Sequence, residues 1–337
     1  AVGASADTIG VAFEKGVEEK RFGSAGWWNT IAVSEEIRKE GLVAKNFMGD
    51  AFSNEMKKDV IKYIKEEFGG KIDLLVYSLA SAVRTDPNTG EMYRSALKST
   101  AKEITGPTIN LEKETMDMGT MGIATEEEIS STVKVMGGED WKLWIEFLDN
   151  AGVLTENFKT VAYSYLGPKV TYGIYKEGTI GAAKRDLEGT SDYLNDYLKT
   201  KYNGEAYVSL SKALMTKASA VIPIFPLYAT LLYKVMKAKG LHEGTIEQKQ
   251  RLFKDMMYGG KPELDSNRRL RPDNWEMRED VQSEVEAIWD TITPENFKEI
   301  GDYEGVREEF MQLNGFDFDN IDYSADVNLE ELAKLKP

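Results

Sequence analysis

The sequence predicts an α/β fold: a doubly wound parallel sheet with helices on both faces, interrupted by one inserted region. Three observations carry that reading. Short runs of β-branched and apolar residues alternate with longer stretches of helical periodicity between Thr8 and Leu210, the grammar of βαβ units. The run at 72–78 (IDLLVYS) is nearly continuously apolar, as in a strand buried within a parallel sheet. Polar or glycine-containing turns follow the strands, and open α/β sheets bind ligands at such strand ends.

Composition narrows the chemistry. The 337 residues are 42% hydrophobic, enough for a sizeable core in one large or two ordinary domains. The net charge of −15, with no block of Lys and Arg, argues against nucleic acid and for small-molecule partners. No cysteine is present, and His242 is the one histidine, which excludes disulfides, a cysteine nucleophile and thiolate or His-rich metal sites. Redox chemistry would therefore need an organic cofactor. The opening residues do not read as a signal peptide, so the cytoplasm is the expected location. The most apolar run, 218–233, is broken by Pro223 and Pro226 and is shorter than the about 20 residues of a spanning helix, so it reads as a buried segment.

Taken in order, residues 8–13 (TIGVAF) form a strand that ends at Glu14. An acid at such a tip can accept hydrogen bonds from the ribose of a dinucleotide, about 20 residues past a glycine-rich turn; the plainer reading is a solvated carboxylate. The turn itself is missing, since residues 1–7 lack the GxGxxG spacing. Residues 23–29 (GSAGWWN) read as a loop whose two tryptophans either pack or cover a cofactor. A helix at 31–40, a strand at 42–48 and a helix at 54–68 follow, the last turning Val60, Ile61 and Ile64 inward. Strand 42–48 leads to Gly49-Asp50-Ala51, and strand 72–78 leads to Leu79-Ala80. Residues 83–122 are irregular and rich in Thr, Gly and Pro, which marks 83–125 as an inserted lid, substrate loop or local subdomain. Two helices are expected within 126–148, separated by Gly137-Gly138, the second opened by the acids Glu139 and Asp140. After a strand at 159–165 come a helix at 180–202, a buried strand at 206–210 and an apolar wall and helix over 218–239. The basic turn at 259–271, with Arg268, Arg269 and Arg271, is either solvated or a dock for a coenzyme A phosphate. The remainder, 259–337, reads as an acidic, helical C-terminal extension.

The stretch 163–184 (YSYLGPKVTYGIYKEGTIGAAK) joins a strand to a long helix and carries two overlapping tyrosine–lysine spacings. Tyr172 and Lys176 are four apart and would share one face of a continuous helix, a spacing similar to that of short-chain dehydrogenases. Those enzymes would also want a serine where this chain has Lys159. Tyr175 and Lys184 are nine apart and converge only if the helix begins after Tyr175. Gly178 and Gly181 favour such a break, with Thr179 as the expected N-cap. Four tyrosines this close together (Tyr163, Tyr165, Tyr172, Tyr175) also read as ordinary core packing.

The run YKEGTIGAAKRDLE, preceded by AYSYLG and followed by KALMTKASAVIPIFPLY, resembles the monomeric, NADH-dependent trans-2-enoyl-CoA reductases and their relatives, the FabV-type enoyl-ACP reductases. TIGV, GSAGWWN, GDAFS, DLLVYSLAS, VRTDP, VKVMGGEDW and LNGFDFDNIDY extend the resemblance over nearly the whole chain. It implies a single Rossmann-like, NAD-binding reductase domain over 1–337, acting on enoyl-CoA or enoyl-ACP. It also implies a first strand and phosphate-binding glycine loop ahead of Ala1, so that the fold as written is N-terminally incomplete. By resemblance NADH is contacted by Phe13, Glu14, Asp50, Ala51, Leu79, Ala80, Lys184, Leu214, Met215 and Thr216, although Ala51, Leu79 and Ala80 read equally well as core.

Reducing a 2-enoyl thioester puts hydride on the β-carbon and negative charge on the thioester oxygen, so the site needs an oxyanion donor and an acid. The resemblance assigns Tyr175 as the catalytic hydroxyl and Tyr165 as a second donor to the substrate carbonyl. Lys184 would hold the nicotinamide ribose and lower the Tyr175 pKa by favouring the phenolate. Two alternatives stay open: a carbonyl reductase built on Tyr172 and Lys176, and an inactive remnant without a phosphate cradle.

Overall fold

The strands Thr8–Ala12 and Ala44–Met48 pair in parallel, as do the four strands of the main sheet, as their apolar runs require. The structure, a computed structural model, describes residues 2–18, 21–79, 81–260 and 262–337. Strand β1 (Thr8–Ala12) is followed by the small hairpin β2 (Val17–Glu18) and β3 (Arg21–Phe22), helix α1 (Ala25–Lys39) and β4 (Ala44–Met48). β1 and β4 pair in parallel, Gly10 opposite Asn46. Helix α1 starts earlier than expected because Ser24 caps it, its side chain accepting from the Trp27 N–H. The tryptophans predicted in a loop therefore lie in its first turn, with Trp27 buried.

Helix α2 (Asn54–Glu67) is capped by Ser53 and buries Met56, Val60 and Ile64, with Ile61 partly buried against the same core. Strand β5 (Ile72–Tyr77) follows. The insert is more ordered than its composition suggests, since it folds into two antiparallel hairpins. These are β6 (Val83–Thr85) with β7 (Met92–Arg94), and β8 (Ile104–Asn110) with β9 (Thr115–Met121). Helix α3 (Glu126–Met136) opens on a capping box between Thr125 and Glu128, which satisfies two orphan donors at once. Helix α4 (Glu139–Asn150) starts at the predicted acid pair.

Strand β10 (Leu154–Ser164), short helix α5 (Tyr172–Tyr175), long helix α6 (Thr179–Tyr202) and strand β11 (Glu205–Leu210) form the centre of the molecule. α6 ends on Asn203 in the left-handed region, which polar Asn tolerates there. The buried helix α7 (Phe225–Ala238) and helix α8 (Thr245–Gln250), continued by a π-helical turn over Arg251–Met257, come next. The chain finishes with β12 (Arg269–Leu270), α9 (Glu279–Trp289), α10 (Phe297–Ile300), α11 (Tyr303–Gln312) and α12 (Leu329–Leu332). The expected helical extension thus contributes a strand, because β12 adds to the sheet beside β11.

The four-stranded sheet has the order β12-β11-β10-β5 and is parallel throughout. Its side chains alternate between two cores. Ala162 packs with Trp141, Leu187 and Leu198 on the face covered by α2, α4 and α6, while its neighbour Val161 packs with Tyr207, Leu252 and Leu270 on the other. A third core holds α7, α9 and α11 together and reaches back to Ile174 and Tyr175. β5 departs from the buried strand predicted: Asp73 is exposed and Val76 is 37% exposed. Among the described residues β5 pairs only with β10. No helix among the described residues is long and apolar enough to cross a membrane.

Candidate active site

Parallel pairing aligns the ends of β1 and β4 in one sheet and the ends of β5, β10 and β11 in the other, and the candidate residues follow from the strand ends. Glu14 lies just past β1, where its carboxylate accepts a hydrogen bond from Ser24 at the start of α1. A Cβ on Gly26 would collide with that carboxylate, so the glycine at this point makes room for the acid. Phe13 beside it is 77% exposed. Past β4, Asp50 closes a turn by accepting the Phe52 N–H at 2.9 Å. The Ala51 carbonyl receives Trp144 Nε1 at 3.1 Å and Lys57 Nζ at 3.3 Å. Lys57 also meets Asp140 at 2.8 Å in an ion pair with side chains 0% and 2% exposed. The loop after β4 is thus held from beneath by a buried charge pair. Leu79 follows β5 and is partly buried; Ala80 lies outside the described residues.

At the end of β10 the chain turns through Gly167 at φ 68°, enters α5, and breaks before α6. Gly178 stands at the break, where Ile174 O, Lys98 O and Gly173 O crowd the place of a Cβ. Gly178, not the predicted Thr179, is the N-cap of α6. Thr179 begins the helix, and its hydroxyl donates to the Ala96 carbonyl, tying α6 to the insert.

The break brings Tyr175 and Lys184 together, with Lys184 Nζ 5.8 Å from the Tyr175 ring centroid. Tyr165 stands edge-on to Tyr175 with centroids 4.6 Å apart, and Phe225 closes the cluster at 5.8 Å and 6.1 Å from the two rings. Lys184 Nζ donates to Ser164 Oγ at 3.0 Å. Ser164 lies at the site because it ends β10 one residue before Tyr165. Tyr172 and Lys176 are also adjacent, Nζ 4.6 Å over the ring. They sit elsewhere, with Tyr172 lining a hollow beside Ser99, Lys102 and Lys169.

Burial pulls the Lys184 ammonium down to about 8. Burial, then the negative charge of Glu276, pushes the Tyr175 hydroxyl above the usual phenol range. The expectation that Lys184 lowers the Tyr175 pKa is thus corrected: in this structure desolvation dominates, and Tyr175 is a neutral O–H donor.

Sequence reasoning missed Glu276. It is fully buried, with Oε1 3.0 Å from the Tyr165 hydroxyl and 2.7 Å from that of Tyr228, while Oε2 accepts the Ala213 N–H at 2.6 Å. Its distance in sequence from Tyr165 hid it. The loop after β11 is held by the same region: the Met215 N–H donates to Tyr233 Oη at 3.1 Å, the Leu214 carbonyl accepts Ser219 Oγ at 3.0 Å, and the Thr216 N–H donates to Ser219 Oγ at 2.9 Å.

The basic turn is spent on acids. Arg269 meets Glu188 at 3.1 Å and Asp265 at 2.9 Å, and Arg271 meets Asp273 at 2.7 Å. A phosphate dock there loses its cations to these carboxylates.

Two family descriptions match the chain. "Trans-2-enoyl-CoA reductase catalytic region" covers residues 21–258, and "Enoyl reductase FAD binding domain" covers 264–327. The second stretch does not fit a flavin here, because its buried acids Glu276 and Asp273 are engaged with other side chains. Among curated proteins, a trans-2-enoyl-CoA reductase [NADH] of Clostridium beijerinckii is 54% identical over 99% of this chain and 84% of its own length. An enoyl-[acyl-carrier-protein] reductase [NADH] of Photobacterium profundum is 53% identical over the same shares. Among solved structures, the Clostridium acetobutylicum trans-2-enoyl-CoA reductase in complex with NADH superposes with a TM-score of 0.96 at 52% identity, covering 98% of this chain and 83% of that one. The Treponema denticola enzyme in complex with NAD gives 0.91 at 47%, over 96% and 80%. Identity of this order along nearly the whole length, with a family description over most of it, places the conclusion beyond fold: the chain belongs to the trans-2-enoyl-CoA reductase family.

Proposed function

We propose that this chain reduces the 2,3 double bond of trans-2-enoyl thioesters, carried on coenzyme A or acyl carrier protein, to the saturated acyl thioester with NADH. The observation that carries the reading is the convergence of Tyr175 and Lys184, nine residues apart, across the break between α5 and α6. NADH, when bound, supplies the hydride that reaches the β-carbon.

The chain's residues do the rest. Glu14 offers a carboxylate to ribose hydroxyls beside the N-terminus of α1, and the turns at Asp50-Ala51 and Leu79 border the adenosine end. Lys184, held by Ser164, reaches toward the nicotinamide ribose. Leu214, Met215 and Thr216 border the nicotinamide end, on a loop fixed by Tyr233 and Ser219. The neutral Tyr175 hydroxyl donates to the thioester oxygen as charge develops there, Tyr165 offers the second hydrogen bond, and the enolate becomes the saturated thioester by taking one proton at the α-carbon from Tyr175, which solvent then reprotonates. An apolar wall of Phe225, Ile174 and Met215 excludes water, which strengthens both hydrogen bonds.

The test uses the full-length protein, following NADH consumption with a short trans-2-enoyl-CoA. Tyr175→Phe is expected to cut turnover by about 10² or more, the scale of one oxyanion donor, while Tyr172→Phe stays mild. Both keep the ring, so packing is nearly conserved. A damaging Tyr172→Phe with an active Tyr175→Phe would overturn the assignment.

A further inference from the structure

We propose that Glu276 is a positioning residue whose protonation state decides which way the Tyr165 hydroxyl points, and thereby whether Tyr165 can donate to the substrate carbonyl. The inference rests on the reading of Tyr165 as a substrate donor. It follows from a count of protons around one carboxyl oxygen. Glu276 Oε1 faces two phenols, Tyr165 at 3.0 Å and Tyr228 at 2.7 Å. The Tyr228 direction is set from behind, because Gln282 Nε2 donates to its oxygen at 3.1 Å and also to the Glu276 carbonyl at 2.6 Å. Tyr228 therefore turns its own proton to Glu276. Oε2 is committed to the Ala213 N–H. Tyr165 is the one neighbour of Oε1 whose direction is left to the carboxyl.

A phenol carries a single proton. When Glu276 is ionised, the Tyr165 proton is drawn to Oε1, and only oxygen lone pairs face the cluster with Tyr175 and Phe225, where they would repel a carbonyl or an enolate. When Glu276 is protonated, the carboxyl O–H donates to the Tyr165 oxygen and frees the phenol proton for the substrate. The groups around this carboxyl are Tyr165, Tyr175, Tyr228, Lys212 from the loop after β11, and Asp273, which is paired with Arg271. Burial pushes Glu276 up to about 7 against the opposing pull of Ala213, Tyr228 and Lys212, so both states are within reach of neutral solution.

The experiment is the pH dependence of kcat with a short trans-2-enoyl-CoA in wild type, Glu276→Gln, Tyr228→Phe and Tyr165→Phe, in the full-length protein. Wild type is expected to lose turnover as pH rises through Glu276 ionisation, with little change in KM for NADH. In Glu276→Gln, whose amide can only donate toward Tyr165 while its oxygen accepts from Ala213, that basic limb should vanish. Tyr228→Phe takes a donor from the ionised carboxylate and should move the limb to higher pH. This variant decides the matter if the glutamine protein does not fold. In a Tyr165→Phe background, Glu276→Gln should alter kcat less than about twofold. The proposal is overturned if the limb keeps its position in both Glu276→Gln and Tyr228→Phe, or if the two substitutions multiply independently. Loss of activity in Tyr175→Phe together with an unmoved limb sinks this proposal alone, whereas an active Tyr175→Phe sinks the reading of the site beneath it.

Discussion

Lys184→Met should make the protein more stable while making it a poorer enzyme. Lys184 is a base whose folded pKa lies below its unfolded one, about 8 against 10.5, because burial penalises the ammonium. Below about 8 both states are protonated and the whole penalty is present; it fades as pH climbs toward the unfolded value, where the native state holds fewer protons. At about 1.36 kcal/mol per unit, the shift corresponds to roughly 3 kcal/mol of native-state destabilisation at neutral pH. Against this stands the hydrogen bond from Nζ to Ser164 Oγ at 3.0 Å, worth about 1 kcal/mol. Methionine keeps most of the buried stem, so a net gain of about 2 kcal/mol is expected near neutrality. Urea unfolding of both proteins at about pH 7 and about pH 10 would measure it, with the advantage shrinking at the higher pH. The same variant should raise KM for NADH and lower kcat. A Lys184→Met protein less stable than wild type at neutral pH would show that the ammonium is well solvated or paired, and the argument from burial would fail.

Three further outcomes are expected. Lys57→Met strands Asp140 in the core beneath the loop after β4 and should cost about 3 to 5 kcal/mol in chemical denaturation; a loss under 1 kcal/mol would mean that water reaches the pair. Arg269→Ala breaks contacts to Glu188 and Asp265 and should lower Tm while leaving KM for enoyl-CoA within about twofold, so a large KM change would restore the phosphate dock. NADH should be used with a kcat/KM at least about tenfold above NADPH, because the Glu14 carboxylate repels a 2′-phosphate. Equal use of the two cofactors would remove Glu14 from the ribose site.

What could be read from residue order was what depends on neighbours in sequence. The parallel strands were visible because apolar runs such as residues 206–210 have few other homes, and the break before α6 because Gly178 and the nine-residue spacing make one demand together. The hairpins β6–β7 and β8–β9 were not visible: their strands have mixed burial and contain Gly106 and Pro107, so period-two alternation is masked. The start of α1 was hidden because Trp27 and Trp28 favour a helix only once Ser24 caps it. Glu276 lay beyond reach, since its role is set by Tyr165, Ala213 and Tyr228, which meet only after three separate segments have packed. The sign of the Tyr175 shift failed for a related reason: a lysine nearby in sequence says nothing of how much water burial removes.

The bond from Thr179 to Ala96 has a consequence for anyone cutting and splicing members of this family. Lys98 and Thr100 add further ties, with the Thr179 N–H donating to Lys98 O at 2.9 Å and the Thr100 N–H donating to Glu177 O at 3.0 Å. The segment 96–100 belongs in sequence to the insert but in space to the first turn of the helix that carries Lys184. A chimera that exchanges the whole region between β5 and α3 would replace the anchor of the α6 N-terminus along with the hairpins. Exchanging 83–94 and 104–121 as two separate grafts, with 95–103 left native, keeps that anchor in place.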